Sequence, residues 1–258
     1  DVAPSRGLGD VYKRQLLYRQ PVIEVIGERL AGSVWLMLSA WVISGVLGVT
    51  LGVISGAFRG RWADRLIRGY CLLISGTPAF WLAILLLLIF SVWLGWLPVG
   101  LAVPVGMTAD AVTFLDRVRH AILPVLTLSI TGVANIALHT REKMVDVLES
   151  DYVLFARARG ESGLSIVMRH GLRNVVLPAI TLQFASVSEI IGGSVLVEQV
   201  FSYPGLGQAA VTAGLGSDLP LLLGITVITS AIVFGGNLIA DLLYGAVDPR
   251  IRKMETKR

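Results

Sequence analysis

Charge-free runs of bilayer length constrain this chain more than any other feature. No Asp, Glu, Lys or Arg occurs from Leu30 to Phe58, and one helical crossing of a bilayer needs about 20 apolar residues. Gly69 to Ala109 is also uncharged and is most apolar between Cys71 and Leu97. Ala121 to Leu138, between His120 and His139, is near the minimum length. Val175 to Phe201 is apolar but carries Glu189 and Glu198, and Leu219 to Ala240 is clean. These runs predict five spans, at 32–57, 70–97, 120–140, 175–200 and 219–245. Only 16% of the residues are charged, against roughly 25% in a soluble domain, so the polar surface of a water-soluble fold is missing. One cysteine, Cys71, excludes an internal disulfide framework and a multi-cysteine metal site. The expected class is an all-α, polytopic membrane protein.

Lys and Arg resist translocation and so orient the spans. Four Arg lie in 59–68, six basic residues in 141–174 and five after Val247, whereas 98–120 holds only Arg117 and Arg119 and 202–218 holds none. Rich and poor connectors alternate as five crossings require, which places the rich ones and the C-terminus in the cytoplasm. The five basic residues before the first span break this pattern. Residues 1–15 have neither an apolar period nor a signal-peptide core, and we expect them to be a non-native or truncated start, with 16–258 as the membrane domain.

In the first span small residues recur every four positions at Ala40, Ser44, Gly48, Gly52 and Gly56. They form a ridge that lets another helix backbone approach closely. In the second, Ser75-Gly76-Thr77-Pro78 predicts a kink or break, because Pro78 removes a backbone donor while nearby hydroxyls satisfy the freed carbonyls. Broken helices can line transport paths, which makes Gly76 and Pro78 pathway candidates. Glu189, near the middle of an apolar span, is expected to face the bundle interior, at the pathway or a subunit interface, or as a structural carboxyl. Glu198 and Asp241 stand near span ends, within reach of the interface.

The connector 141–174 reads as two short helical pieces. Val145, Leu148, Tyr152, Phe155 and Ala156 share one face, Gly160 ends the first piece, and Ser162 caps a second with a stripe of Leu164, Val167, Met168 and Leu172. An amphipathic pair of this kind needs the membrane plane or a cytoplasmic partner to cover its apolar face.

The segment Tyr152-Val-Leu-Phe-Ala-Arg-Ala-Arg-Gly160, with Leu177-Pro178 following, resembles the EAA-type coupling loop of membrane subunits of binding-protein-dependent ABC importers. The branch it resembles is that of the dipeptide, oligopeptide and nickel permeases. ERL (28–30), GTPAFW (76–81), LGWLP (94–98), RHAILPVLTL (119–128), RHGLRNVVLP (169–178), GGSVLVEQVFSYPGLG (192–207) and DPRIR (248–252) agree in order. The resemblance covers about Gln20 to Arg252. It implies six membrane helices, so this chain resembles the family without its first. It departs from the motif in having no Glu directly before the alanines. It implies two permease subunits, a paralogous pair, in the inner (plasma) membrane. Cytoplasmic ATP-binding subunits hold ATP and Mg, and an external binding protein delivers solute, a peptide or a related molecule. ATPase coupling then falls to Tyr152, Phe155, Ala156, Arg157, Ala158, Arg159 and Gly160.

Catalysis by this chain is not expected. No phosphate loop GxxxxGK[ST] occurs, no HExxH and no GxSxG, and His120, His139 and His170 are read as lying at helix ends without metal spacing. No cofactor or metal is expected on the chain itself. Two alternatives remain open at the level of sequence: an ion- or proton-coupled secondary transporter or channel using Glu189, and a membrane scaffold without a pathway.

Overall fold

The apolar centre of each charge-free run folds as helix, and several helices outrun the expected spans. The computed structural model describes residues 20–104 and 112–247. The expected foreign start at 1–15 and the DPRIR run lie outside the described residues, as does the basic tail that bears on orientation.

Helix α1 (Val22–Ala57) is followed by α2 (Trp62–Ser75) and α3 (Ala79–Leu87), which continues as a π-helical turn, Leu88–Trp93. Next come α4 (Phe114–Leu148), α5 (Asp151–Ala158) and α6 (Gly163–Ile166), which passes through a second π-helical turn, Val167–Gly171, into α7 (Leu172–Ala185). Helices α8 (Val187–Val200), α9 (Leu206–Leu215) and α10 (Leu219–Val247) complete the described chain. With 36 residues, α1 is about 54 Å long and overshoots a hydrocarbon core of roughly 30 Å. Three helices, α1, α4 and α10, are each long and apolar enough to cross a membrane, and two bent pairs bring the total to as many as five among the described residues.

The first bent pair, α2 with α3, turns through 104° at Gly76-Thr77-Pro78. Pro78 has no N–H to continue the ladder, and the Thr77 hydroxyl donates to the Leu73 carbonyl at 2.8 Å, taking up an acceptor the break would strand. The second bend, 48° between the α6–α7 run and α8, falls at Ser186 inside the span expected at 175–200. Its hydroxyl donates to the Gln183 carbonyl at 2.8 Å, a local bond that competes with the helical ladder. The 120–140 span is likewise longer than expected: α4 carries on to Leu148. His139 is therefore inside a helix and not at its end, and Val145 and Leu148 belong to α4 and not to the piece that holds Tyr152.

The described residues group into two compact units. One contains α1 up to Ser39, Ala79–Thr127 and Ile191–Val233. In it, Ile26, Leu206, Ala209, Ala213, Leu221 and Ile225 form a buried apolar cluster. The other contains Ala40–Pro78, Leu128–Ile190 and the chain from Phe234 on. Its core includes Cys71, Val133, Ala134 and Ala137.

The small-residue ridge of α1 belongs to this second unit and packs on α4. A Cβ built on Gly48 would stand 2.7 Å from Ile136 Cβ, one on Gly52 2.5 Å from Thr140 Cβ, and one on Gly56 2.6 Å from Met144 Cβ. Gly132 of α4 reciprocates against Ser44, at 3.0 Å. Both ladders climb in steps of four in the same direction, so the two helices run parallel along this seam, with backbones close enough for dispersion to act where lipid removes the hydrophobic drive.

Candidate functional site

The segment between α4 and α7 is built around a small anchor. Val153 and Ala156 of α5 and Ile166 of α6 are fully buried and pack against Val147 and Leu148 at the end of α4. Helix α5 stops where Gly160 takes φ +84°, a conformation that costs glycine little and other residues more. The next helix starts at Ser162, whose hydroxyl accepts from Ser165 N at 3.4 Å. Glu161, between the two, accepts from Arg159 Nη2 at 3.0 Å and lies 3.1 Å from His170 Nε2. His170 and Arg159 together hold its carboxyl below the ordinary glutamate range. Asn174 Nδ2 donates to the His170 carbonyl at 2.7 Å and to Tyr152 Oη at 3.4 Å.

With its inner side anchored, the pair turns large apolar side chains outward: Tyr152, Leu154, Phe155, Leu164 and Met168 are all exposed, Phe155 to 70% and Leu164 to 75%. Tyr152, Phe155, Ala158, Arg159 and His170 line an open hollow on this surface. Arg157 and Arg159 are exposed beside it. The expected single apolar face is thereby divided. Ala156 is buried in the anchor and is not available to a partner, whereas Tyr152, Phe155 and Ala158 are exposed. Ile166, absent from the sequence-derived stripe, is the residue that holds α6 down, and Leu164 and Met168 point away.

Glu189 lies exposed near the start of α8 and is not packed within this chain, with Asn135 Nδ2 3.4 Å from its Oε2. Gly76 and Pro78 form the 104° bend. Glu198, by contrast, is buried. It is 0% exposed and accepts from Ser33 Oγ at 2.6 Å and from the N–H groups of Gly207 and Gln208 at 2.8 and 3.1 Å. It thus sits on the N-terminal turn of α9, where free N–H groups and the helix dipole favour negative charge. The Ser33 hydroxyl also accepts from Leu206 N at 2.7 Å. A Cβ at Gly205 would strike the Glu198 carboxyl, so a larger residue there would have to displace it from its partners. The interfacial position expected for Glu198 is corrected by this arrangement.

Sequence reasoning also passed over Asp64. It is 1% exposed and meets Arg141 in a fork, Nε to Oδ1 at 2.6 Å and Nη2 to Oδ2 at 2.9 Å. Ser55 Oγ donates to the same carboxylate at 2.7 Å and Gly60 N at 2.8 Å. Nearby, Arg59 pairs with Glu149 at the surface.

Long and broken apolar helices, with an anchored helical pair presenting an apolar face, define a polytopic membrane protein with a surface for a partner. Residues 48–253 match the family described as "Binding-protein-dependent transport system inner membrane component", and the chain belongs to that family. It is 38% identical over 231 residues to the oligopeptide transport system permease protein AppB of Bacillus subtilis (strain 168), covering 90% of this chain and 72% of that protein. It is also 38% identical over 239 residues to the glutathione transport system permease protein GsiC of Escherichia coli (strain K12), covering 92% and 73%. Among solved structures, an inward-facing MetNI methionine ABC transporter shares the fold with a TM-score of 0.68 at 16% identity, covering 89% of this chain and 99% of that one. An amino acid ABC transporter crystallised with histidines follows at 0.62 and 15%, covering 85% and 92%. The chain is a transmembrane subunit of an ABC importer, which works with ATP-hydrolysing and solute-binding partners. The family does not support a secondary transporter built on Glu189.

Proposed function

We propose that this subunit forms part of the translocation pathway for peptides or a closely related solute, with ATP and Mg held on a separate subunit and no ATPase site of its own. The relatives named for oligopeptide and glutathione transport support that solute class. In this reading a paralogous permease subunit completes the pathway, and an external binding protein delivers the solute. The basic segments, the coupling segment 145–174 and the C-terminus all face the cytoplasm.

The observation that carries the reading is the exposed apolar face at Tyr152, Leu154, Phe155, Leu164 and Met168, on a helical pair whose other side is anchored to α4. An apolar face of this kind in water calls for a partner. Docked in a groove of the ATPase, with Arg157 and Arg159 at the rim, the pair transmits the closure of that subunit to the membrane helices. ATP-dependent peptide uptake into vesicles, measured together with ATP hydrolysis, tests the proposal. Phe155→Ala and Gly160→Leu are expected to abolish uptake while hydrolysis continues; full uptake in both variants would overturn it.

A further inference from the structure

We propose that Met144 is the positioning residue through which the coupling segment moves α1; the inference rests on reading its part 151–173 as the ATPase contact. Met144 is 0% exposed and touches glycine at both ends. Its root meets Gly56 of α1, where a Cβ would lie 2.6 Å from Met144 Cβ. Its tip meets Gly171 in the π-helical turn that closes the coupling segment, where a Cβ would lie 2.7 Å from Met144 Sδ and 3.0 Å from Cε. Both glycines lie too close to Met144 for even a methyl group to be added without a shift, so displacement of the turn at Gly171 reaches the α1 backbone through one side chain.

The rest of the neighbourhood is arranged to carry such a push. One turn before Met144, the Arg141–Asp64 fork ties α4 to the start of α2, and Ser55 and Gly60 tie the end of α1 to the same carboxylate. One turn after it, Val147 and Leu148 pack on the anchor formed by Val153, Ala156 and Ile166. The last turns of α4 are therefore bonded to α1 and α2 on one side and to the coupling segment on the other. The π-helical turn at Val167–Gly171 gives the moving side a helical irregularity of a kind often found at functional sites.

The test uses the complete transporter reconstituted in proteoliposomes. The readout is the factor by which its own solute-binding protein, as purified, raises ATP hydrolysis per assembled complex. Met144→Ala, in complexes that retain their ATPase subunits, is expected to lower that factor about twofold to thirtyfold, the range for substitutions along a coupling network. Adding Gly171→Val to Met144→Ala refills the gap from the other side and is expected to restore part of it. Should Met144→Ala fail to assemble, Met144→Leu, which withdraws the thioether tip, is expected to give the same decrease. A lowered melting temperature with an unchanged stimulation factor would mark a purely structural role and overturn the proposal. Phe155→Ala separates the two readings. Loss of stimulation there, with none in the Met144 variants, overturns the lever alone; unchanged stimulation in Phe155→Ala overturns the docking reading and the lever with it.

Discussion

Asp64 and Glu198 are buried to nearly the same degree, one in each compact unit, and they are held by opposite means. Asp64 faces a guanidinium fork, so its charge is matched by a charge. Glu198 faces a hydroxyl and two backbone N–H groups, so its oxygens are matched by dipoles. The fork joins residues 77 positions apart. The dipoles that hold Glu198 come mainly from the turn that follows it in sequence. Asp64 thus ties helices together through an ion pair, whereas Glu198 joins α1, through Ser33, to the turn that leads into α9. The difference implies that Asp64 requires its charge and Glu198 chiefly its acceptor atoms.

Substitutions separate these requirements. The largest effect is expected from Asp64→Ala, which leaves the Arg141 guanidinium largely buried without its partner; breaking such a pair from one side costs about 3–5 kcal/mol. Thermal unfolding of the detergent-solubilised subunit measures it. Asp64→Asn is expected to recover little of that loss, since an amide does not balance the guanidinium charge. If it recovers most of the stability, the contrast with Glu198 is broken. Glu198→Ala strands the Gly207 and Gln208 N–H groups and the Ser33 hydroxyl, at a cost of about 1–3 kcal/mol by the same assay. Glu198→Gln keeps one carbonyl acceptor and is expected to fall below the alanine variant, at about 1 kcal/mol.

The smallest effect is expected at Glu161, a partly exposed carboxylate between Arg159 and His170. Because its folded pKa is lowered, the contribution of Glu161 is present above the ordinary glutamate range and is lost as pH falls through the lowered value. Hydrogen exchange of the 159–170 amides, followed on acidification, is expected to show protection fading, and the fading to be absent in Glu161→Gln. Equal fading in both would remove Glu161 from the account of this segment.

The features legible in the sequence were those that depend on one residue or on regular spacing. The break at Pro78 follows from a missing donor, the α1 ridge from a four-residue step, and the end of α5 from Gly160. Features that depend on pairing between distant residues were not legible. Arg141 reads only as one basic residue of the 141–174 connector and Asp64 draws no notice, because nothing local to either names the other. Glu198 was assigned to the interface from its place near a span end, although the glycines at 205 and 207 were the available signal that backbone comes close to something there. Its midpoint position singles out Glu189 in the sequence, yet position along a span says nothing about which side of the helix a side chain occupies. The division of the coupling face, with Ala156 inward and Phe155 outward, required knowing that α4 reaches Leu148 and supplies the surface against which Val153 and Ala156 are buried.

The parallel ladder of α1 on α4 has a further consequence for how the two helices find their alignment. Glycine at 48, 52 and 56 repeats with the period of the partner ladder, so sliding one helix by four residues, about 5.4 Å to 6 Å along the axis, offers most side chains another glycine hollow. Shape alone is then nearly degenerate between neighbouring rungs. A guanidinium fork has no such periodicity: Arg141 reaches Asp64 from one rung only, and a slipped pairing leaves both charges stranded. In this seam glycine supplies closeness, and the ion pair selects the address.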